Sequence, residues 1–534
     1  SNSMEFLDFL VLGLYFTIIL GVGIYSSRSK EDTSEYFLAN RNLGWFVIGA
    51  SLFASNIGSE HLVGLAESGF KKGLIESQFE ILAAFMLLIL GWVFVPFYKK
   101  SGVTTMPEFL ERRFSSSARM YLSIVSIFAY VITKISVTIF AGAVVFETLL
   151  GIDFWLGAFI VVVVTGFYTI LGGLKAVIYT DTIQMFLLLG GSILVTIFGL
   201  NEIGGWSNMV AASGDGFMSL WRTASHPEYP WTAILFGAPI LGIWYWCTDQ
   251  FIVQRVLAAE NESVARKATI FAGFLKLTPM FIFVVPGMIA YAMHNDPTSA
   301  FKLPIENGEI QSSGTLAAMV QYLLPTGLRG LIAAGILSAL MSSLSSVFNS
   351  CSTLITWDIY KKYNPNQSEK KLVRVGQIAT GVLVLSGMMW IPFQESLSGG
   401  GLFTYLQSVQ ALISPPIAAV FLLGLFIKRI NAQGAMAALY TGAILGIARL
   451  VSEVNGIDSI LTQPLFLHFA LYLFLVCSFV MIAVSYMTPE PDYEKIKDVI
   501  YQPSSTKNTE NLKTDKALTF LLIVFVLIIW YLFS

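Results

Sequence analysis

The sequence is poor in charge. Asp, Glu, Lys and Arg make up 12% of its 534 residues, where a soluble domain of ordinary composition carries about 25%. Set against 55% hydrophobic residues, so few charges exclude a fully solvated globular surface. The 32 basic and 34 acidic residues nearly cancel. No basic tract stands out, which leaves no electrostatic footprint for nucleic acid. Cysteine is scarce as well. Cys247, Cys351 and Cys477 lie in or near apolar stretches and form neither a metal-ligand spacing nor a disulfide framework. Nothing resembles a nucleophile with its base, a phosphate loop or a metal cage, so the reading is not an enzyme. Residues 1–3, SNS, precede Met4 and read as an expression remnant. The first apolar run is long enough to read as a span, not a cleavable signal.

What is present is a series of apolar runs of about 20 residues, the length that crosses a bilayer. Fourteen are counted: 6–26, 44–66, 78–98, 119–149, 153–172, 179–200, 231–256, 267–293, 317–357, 373–394, 402–427, 433–453, 462–487 and 514–533. Lys and Arg test the count. Connections after odd-numbered spans hold most of them, among them Arg112, Arg113, Lys361, Lys362, Lys370 and Lys371, while the other side holds Lys71, Lys72, Arg222 and Lys302. By the positive-inside rule both termini lie outside. The expected location is the plasma (inner) membrane, multi-pass, with the lipid bilayer as partner. Residues 201–230 form the longest outer loop, and 488–513 a polar inner linker.

Several spans carry polar residues they should avoid. Span two holds ASNIGSEH, Ala54 to His61; span seven holds LGIWYWCTDQFIVQR, with Gly242, Cys247, Thr248, Asp249 and Gln250 inside it. The two lie five spans apart, which points to an inverted repeat with unwound helices facing a midplane site. Freed carbonyls there suit a cation, and amides and polar side chains suit a polar solute. Tight packing by small residues is the plainer alternative, but packing needs no Glu or His. Span nine carries ALMSSLSSVFNS, in which Ala339, Ser342 and Ser343 share a helix face and Ser345 and Ser346 continue it. These hydroxyls are sodium ligands, or they bond back to their own helix carbonyls. Glu80, Lys134, Asp181 and Lys276 are ionisable residues in or at the ends of spans, and such residues invite a functional reading. Asp181 has the alternative of pairing with Lys175. Pro415-Pro416 is expected to break or kink span eleven just after Gln407.

ASNIGSEHLVGLA, GGLKAVIYTDTIQ, WYWCTDQFIVQRVLAA, FLKLTPMFIFVVPGMIA, ALMSSLSSVFNSCSTL and PPIAAVFLLGLF resemble the sodium/glucose cotransporters of the solute:sodium symporter family over nearly the whole chain. The resemblance implies an all-α membrane protein of 14 helices with the leucine-transporter-like 5+5 inverted repeat. Residues 4–43 would be an extra helix with its loop, 44–200 and 231–427 the two five-helix repeats, and 428–534 three further helices. It implies sodium-coupled symport of a hexose such as glucose or galactose, with Na+ and sugar as small-molecule partners. Another polar solute (inositol, sialic acid, an amino acid), or a non-transporting sugar sensor or channel, stays open.

Carried over residue by residue, the resemblance implies a sugar site of Asn56, His61, Glu80, Tyr245, Trp246, Lys276 and Gln407. Leu65, Phe79 and Phe403 would be the outer gate. Sodium would take the carbonyls of Ala54, Ile57 and Ala339 and the hydroxyls of Ser342 and Ser343. Asp181, Ser345 and Ser346 would hold a second sodium. Gly242 departs from the family's Thr or Asn, leaving one sugar contact missing or replaced by water.

Overall fold

The computed structural model describes residues 5–26, 33–135, 149–397, 402–501 and 509–534, with isolated positions between 138 and 146. For 402–410 only the backbone is described. The architecture is helical throughout, apart from a two-residue hairpin in which Ile305–Glu306 pairs antiparallel with Glu309–Ile310. Its turn is Asn307-Gly308, both at positive φ, which is the sequence such a hairpin favours. The larger helices in chain order are α1 Phe6–Ser26, α2 Trp45–Asn56, α3 Ser59–Lys72, α4 Ser77–Ser101, α5 Ser116–Ala129, α6 Phe154–Ile203, α7 Ala233–Thr248, α8 Gln250–Leu257, α9 Glu262–Asn295, α10 Leu328–Tyr363, α11 Glu369–Leu397, α12 Leu402–Phe426, α13 Ala432–Val454, α14 Phe466–Tyr486 and α15 Thr509–Leu532.

Among the described residues, eight helices are individually long and apolar enough to cross a bilayer: α1, α4, α6, α9, α10, α13, α14 and the Leu512–Leu532 part of α15. α2 and α7 fall short because the chain unwinds. Ile57 (φ −90°, ψ 102°) and Gly58 (φ −90°, ψ 170°) are extended and separate α2 from α3. Asp249 (φ −85°, ψ 127°) separates α7 from α8. α6 is the opposite case. At about 1.5 Å per residue, 50 residues would span about 75 Å, more than twice a hydrocarbon core of about 30 Å. Gly173 (φ 60°, ψ −149°) interrupts it between expected spans five and six. A side chain there would meet the Tyr36 carbonyl oxygen 2.3 Å from its Cβ.

Two expectations are corrected. The ninth expected span began at 317, but Thr315–Leu323 is a separate helix. Leu324 precedes Pro325 and is extended (ψ 137°), as the residue before proline prefers; α10 starts only after Gly327. The second concerns the break allowed at Pro415-Pro416: the helix is not broken there, and both prolines lie inside a continuous α12. Pro415 cannot bond the Ala411 carbonyl four residues back, and the Ser414 hydroxyl donates to it instead, at 3.3 Å. Elsewhere proline works with a widened turn. The π-type turns Leu90–Phe94, Ala233–Gly237 and Met280–Val284 are each followed within two residues by Pro96, Pro239 or Pro286, so the local widening absorbs the ring.

α10 is buried almost throughout and packs on α6, which also takes α1 and α2. α2 lies on α9, and α12, α13 and α14 pack together. The two unwound segments therefore sit inside the bundle, against buried helices.

Candidate functional site

Each unwinding delivers a polar residue inward. Asn56 ends α2, with the Ile57 amide turning back to the Ala54 carbonyl at 3.3 Å. His61 lies in the first turn of α3 and Glu80 in the first turn of α4. Lys276 stands where α9 tightens into a turn before Pro279, its own amide bonded to the Ala272 carbonyl at 2.9 Å. Tyr245 and Trp246 lie in a π-type turn, Trp244–Thr248, at the end of α7.

These residues meet. Both Glu80 carboxylate oxygens are taken, Oε1 by His61 Nε2 and Oε2 by Lys276 Nζ. Lys276 Nζ also donates to Asn56 Oδ1, and Asn56 Nδ2 donates to the Tyr245 hydroxyl at 3.1 Å. The ammonium sits 5.5 Å from the centre of the Trp246 ring, and the Tyr245 and Trp246 rings meet edge to face at 5.0 Å. Glu80 is 3% and Lys276 1% exposed, while His61 keeps 29%. A buried carboxylate and ammonium are tolerable only when paired and hydrogen-bonded. This pair is, and its polar atoms converge beside an unwound helix. Gln407 and Phe403 lie where side chains are not described. Leu65 is buried, and Phe79 is 38% exposed.

At Gly242 a side chain would fit only if Met86 moved aside. Its Cβ would fall 2.6 Å from Met86 Cγ, so a methionine occupies the space.

The sodium set lies one layer away. Ala54, Ile57, Ala339, Ser342 and Ser343 are all buried. Ser343 Oγ donates to the Ser55 carbonyl at 3.1 Å, linking α10 to the end of α2. Ser342 Oγ donates to Asp181 Oδ1 at 2.6 Å. Ser345 and Ser346 do what the plainer reading allowed: their hydroxyls bond the Ser342 carbonyl at 3.1 and 2.7 Å.

Asp181 is fully buried, and its ion-pair partner is not Lys175, the alternative offered above. Its cation is Arg255 at 3.8 Å, with Ser51 Oγ donating to Asp181 Oδ2 at 2.6 Å and accepting from Arg255 Nε at 3.0 Å. Arg255 also donates to Ser346 Oγ. Sequence reasoning missed Ser51 and Arg255. An arginine closing an apolar run reads as an interface residue, and only its zero exposure shows otherwise. Lys134 lies 3.5 Å from Asp249, the residue at the second break.

A helical bundle with two interrupted helices, beside whose breaks paired polar groups lie largely buried, has the architecture of a secondary transporter. The comparisons agree. The model of the sodium:solute symporter family matches residues 36–442. Sodium/glucose cotransporter 1 of Sus scrofa is 39% identical, covering 91% of this chain and 80% of that protein. Sodium/glucose cotransporter 2 of Rattus norvegicus is 38% identical over 95% and 82%. In fold, the chain is similar to a Na+-coupled sialic acid symporter in a substrate-bound outward-open state (TM-score 0.81, 23% identity, 91% of this chain and 99% of that one). It is more distantly similar to a nucleobase-cation-symport-1 family transporter (TM-score 0.57, 13% identity, 87% and 97%). The chain belongs to the sodium:solute symporter family.

Proposed function

We propose that this protein is a sodium-coupled sugar symporter that carries a hexose such as glucose or galactose by alternating access. The observation that carries this reading is the Glu80 carboxylate, buried and held by His61 and Lys276 beside Asn56 and Tyr245. A carboxylate accepts from sugar hydroxyls, an ammonium and an amide nitrogen donate to sugar oxygens, and an aromatic ring covers the C–H face. Gln407 completes the set, and Leu65, Phe79 and Phe403 close over it. The relatives' names, sodium/glucose cotransporters at 38–39% identity, support the substrate class and the coupling ion.

Fourteen spans, with both termini outside in the plasma (inner) membrane, are the topology we assign. Residues 44–200 and 231–427 are inverted five-helix repeats; the matching breaks at Ile57-Gly58 and Asp249 support this. One sodium takes the carbonyls of Ala54, Ile57 and Ala339 with Ser342 and Ser343. Its binding draws α10 onto the end of α2 and so fixes Asn56. A second takes Asp181 with the hydroxyls of Ser345 and Ser346, which rotate from the Ser342 carbonyl to face it. Arg255 gives up part of its hold on Asp181 when that charge arrives.

Trp246, beside Lys276, reports on the site. Glucose or galactose added to purified protein is expected to change tryptophan emission saturably in NaCl and far less in KCl, and the sodium-dependent part is expected to vanish in Trp246→Phe. No sugar-dependent change in either salt, with Trp246 intact and the protein folded, would count against a sugar site here.

A further inference from the structure

Residues 213–230 contact the N-terminal end of α4, whose first turn carries Glu80. Several bonds tie them down. The Leu74 amide donates to the Phe217 carbonyl at 2.8 Å, Gln78 Nε2 to the Leu220 carbonyl at 2.9 Å, and Arg222 to the Lys72 carbonyl at 3.2 Å. Lys72 Nζ bridges Glu228 at 2.6 Å and Glu76 at 3.1 Å. The hydrogen bond from Lys72 holds the Glu228 carboxylate below its usual range. These are anchors of the kind any long loop uses.

Tyr229 does something else. Its hydroxyl donates to Glu76 Oε1 at 2.9 Å, and its ring meets the Phe79 ring edge to face, 5.8 Å between centres at 71°. Lys72 Nζ lies 5.1 Å from the centre of the Tyr229 ring. Phe79 otherwise keeps 38% of its surface exposed, and among the described residues Tyr229 is its one ring partner. Glu76, Phe79 and Glu80 fall within five consecutive residues at the start of α4, Glu76 at its N-cap position. Two contacts from a single loop residue therefore hold both the entry to the first turn of α4 and the ring next in sequence to the Glu80 carboxylate.

We infer that Tyr229 is a positioning residue for the sugar site: it holds Phe79 and the first turn of α4 so that Glu80 is presented to the sugar and Phe79 closes over it. The inference rests on the sugar-symport reading above. Without Tyr229 the first turn of α4 samples more orientations, and sugar binding must order it again.

The test uses the full chain in proteoliposomes, with Tyr229→Phe and Tyr229→Ala. Loss of the hydroxyl is expected to raise the sugar concentration for half-maximal uptake roughly threefold, and loss of the ring as well roughly tenfold, the scale of one net hydrogen bond and one aromatic pair. Half-maximal sodium is expected to move less than twofold. Backbone hydrogen exchange, read without sugar, is expected to speed up over residues 74–82 in Tyr229→Ala and to stay unchanged in α13. Glu228→Gln, which removes an exposed ion pair worth little, is expected to change neither reading. Lowered thermal stability with unchanged sugar half-saturation would make Tyr229 a simple anchor and overturn the inference. Unchanged exchange over 74–82 would overturn it too, and that holds even if the wild type carried no sugar, an outcome that would separately sink the function proposed above.

Discussion

At the scale of the residue, the site turns on a carboxylate and an ammonium that are each intolerable alone. Removing one member of a buried pair leaves the other uncompensated, at about 3–5 kcal/mol. Glu80→Ala is therefore expected to lower the thermal midpoint as well as sugar affinity. Glu80→Ala combined with Lys276→Ala is expected to recover most of the stability and none of the affinity. Recovery of sugar affinity in the double variant would place the sugar elsewhere. Tyr245 separates ring from hydroxyl. Tyr245→Phe loses the hydrogen bond to Asn56, a net effect of about 1 kcal/mol, while Tyr245→Ala also loses the apolar platform. Half-saturation by sugar should thus rise modestly for Phe and far more for Ala, and equal damage from both would show that the hydroxyl does the binding. Asn56, His61, Glu80 and Lys276 could be picked out of the sequence because polar groups in an apolar run are costly and so conspicuous, whereas Tyr245 and Trp246 came only from the family resemblance. The directions of the serine hydroxyls could not. Spacing puts Ser342 and Ser346 on one face, but the first reaches Asp181 and the second its own helix, a choice made by neighbours distant in sequence.

At the scale of the element, the breaks in α2–α3 and α7–α8 follow from short polar runs within long apolar ones, and were readable as such. The continuity of α12 was not, since it depends on Ser414 replacing a donor that Pro415 lacks. Nor was the cap of α10. The Asp8 carboxylate, fully buried in α1, accepts from the Gly327 and Gly330 amides at 2.7 and 2.8 Å and lies 3.6 Å from Arg329. A helix start is thus capped by a residue more than three hundred positions away, which no local signal announces. Asp8→Ala is expected to destabilise by about 0.5–2 kcal/mol for the cap, and by more for the stranded arginine. Asp8→Asn should keep the cap and recover part of that loss. A thermal midpoint as low in Asn as in Ala would assign the effect to the charge alone.

At the scale of the whole molecule, coupling sets what the fold can accomplish. Each sodium entering down 100 mV contributes about 2.3 kcal/mol, and a tenfold gradient adds about 1.4 kcal/mol. Two ions then supply about 7 kcal/mol where one supplies about 4, a difference of several hundredfold in the limiting sugar gradient. The second site proposed above needs Asp181 to loosen from Arg255 and the Ser345 and Ser346 hydroxyls to leave the Ser342 carbonyl. A charge-to-sugar flux ratio of two is expected for the wild type, falling toward one in Ser345→Ala; a wild-type ratio of one would remove the second site. More direct still is uptake itself. Proteoliposomes holding the purified chain, given labelled glucose or galactose under an imposed inward sodium gradient, are expected to accumulate sugar transiently above the external concentration. An equal potassium gradient should not produce that overshoot. Equal, merely equilibrating uptake under both gradients, or none under either, would contradict sodium-coupled sugar symport.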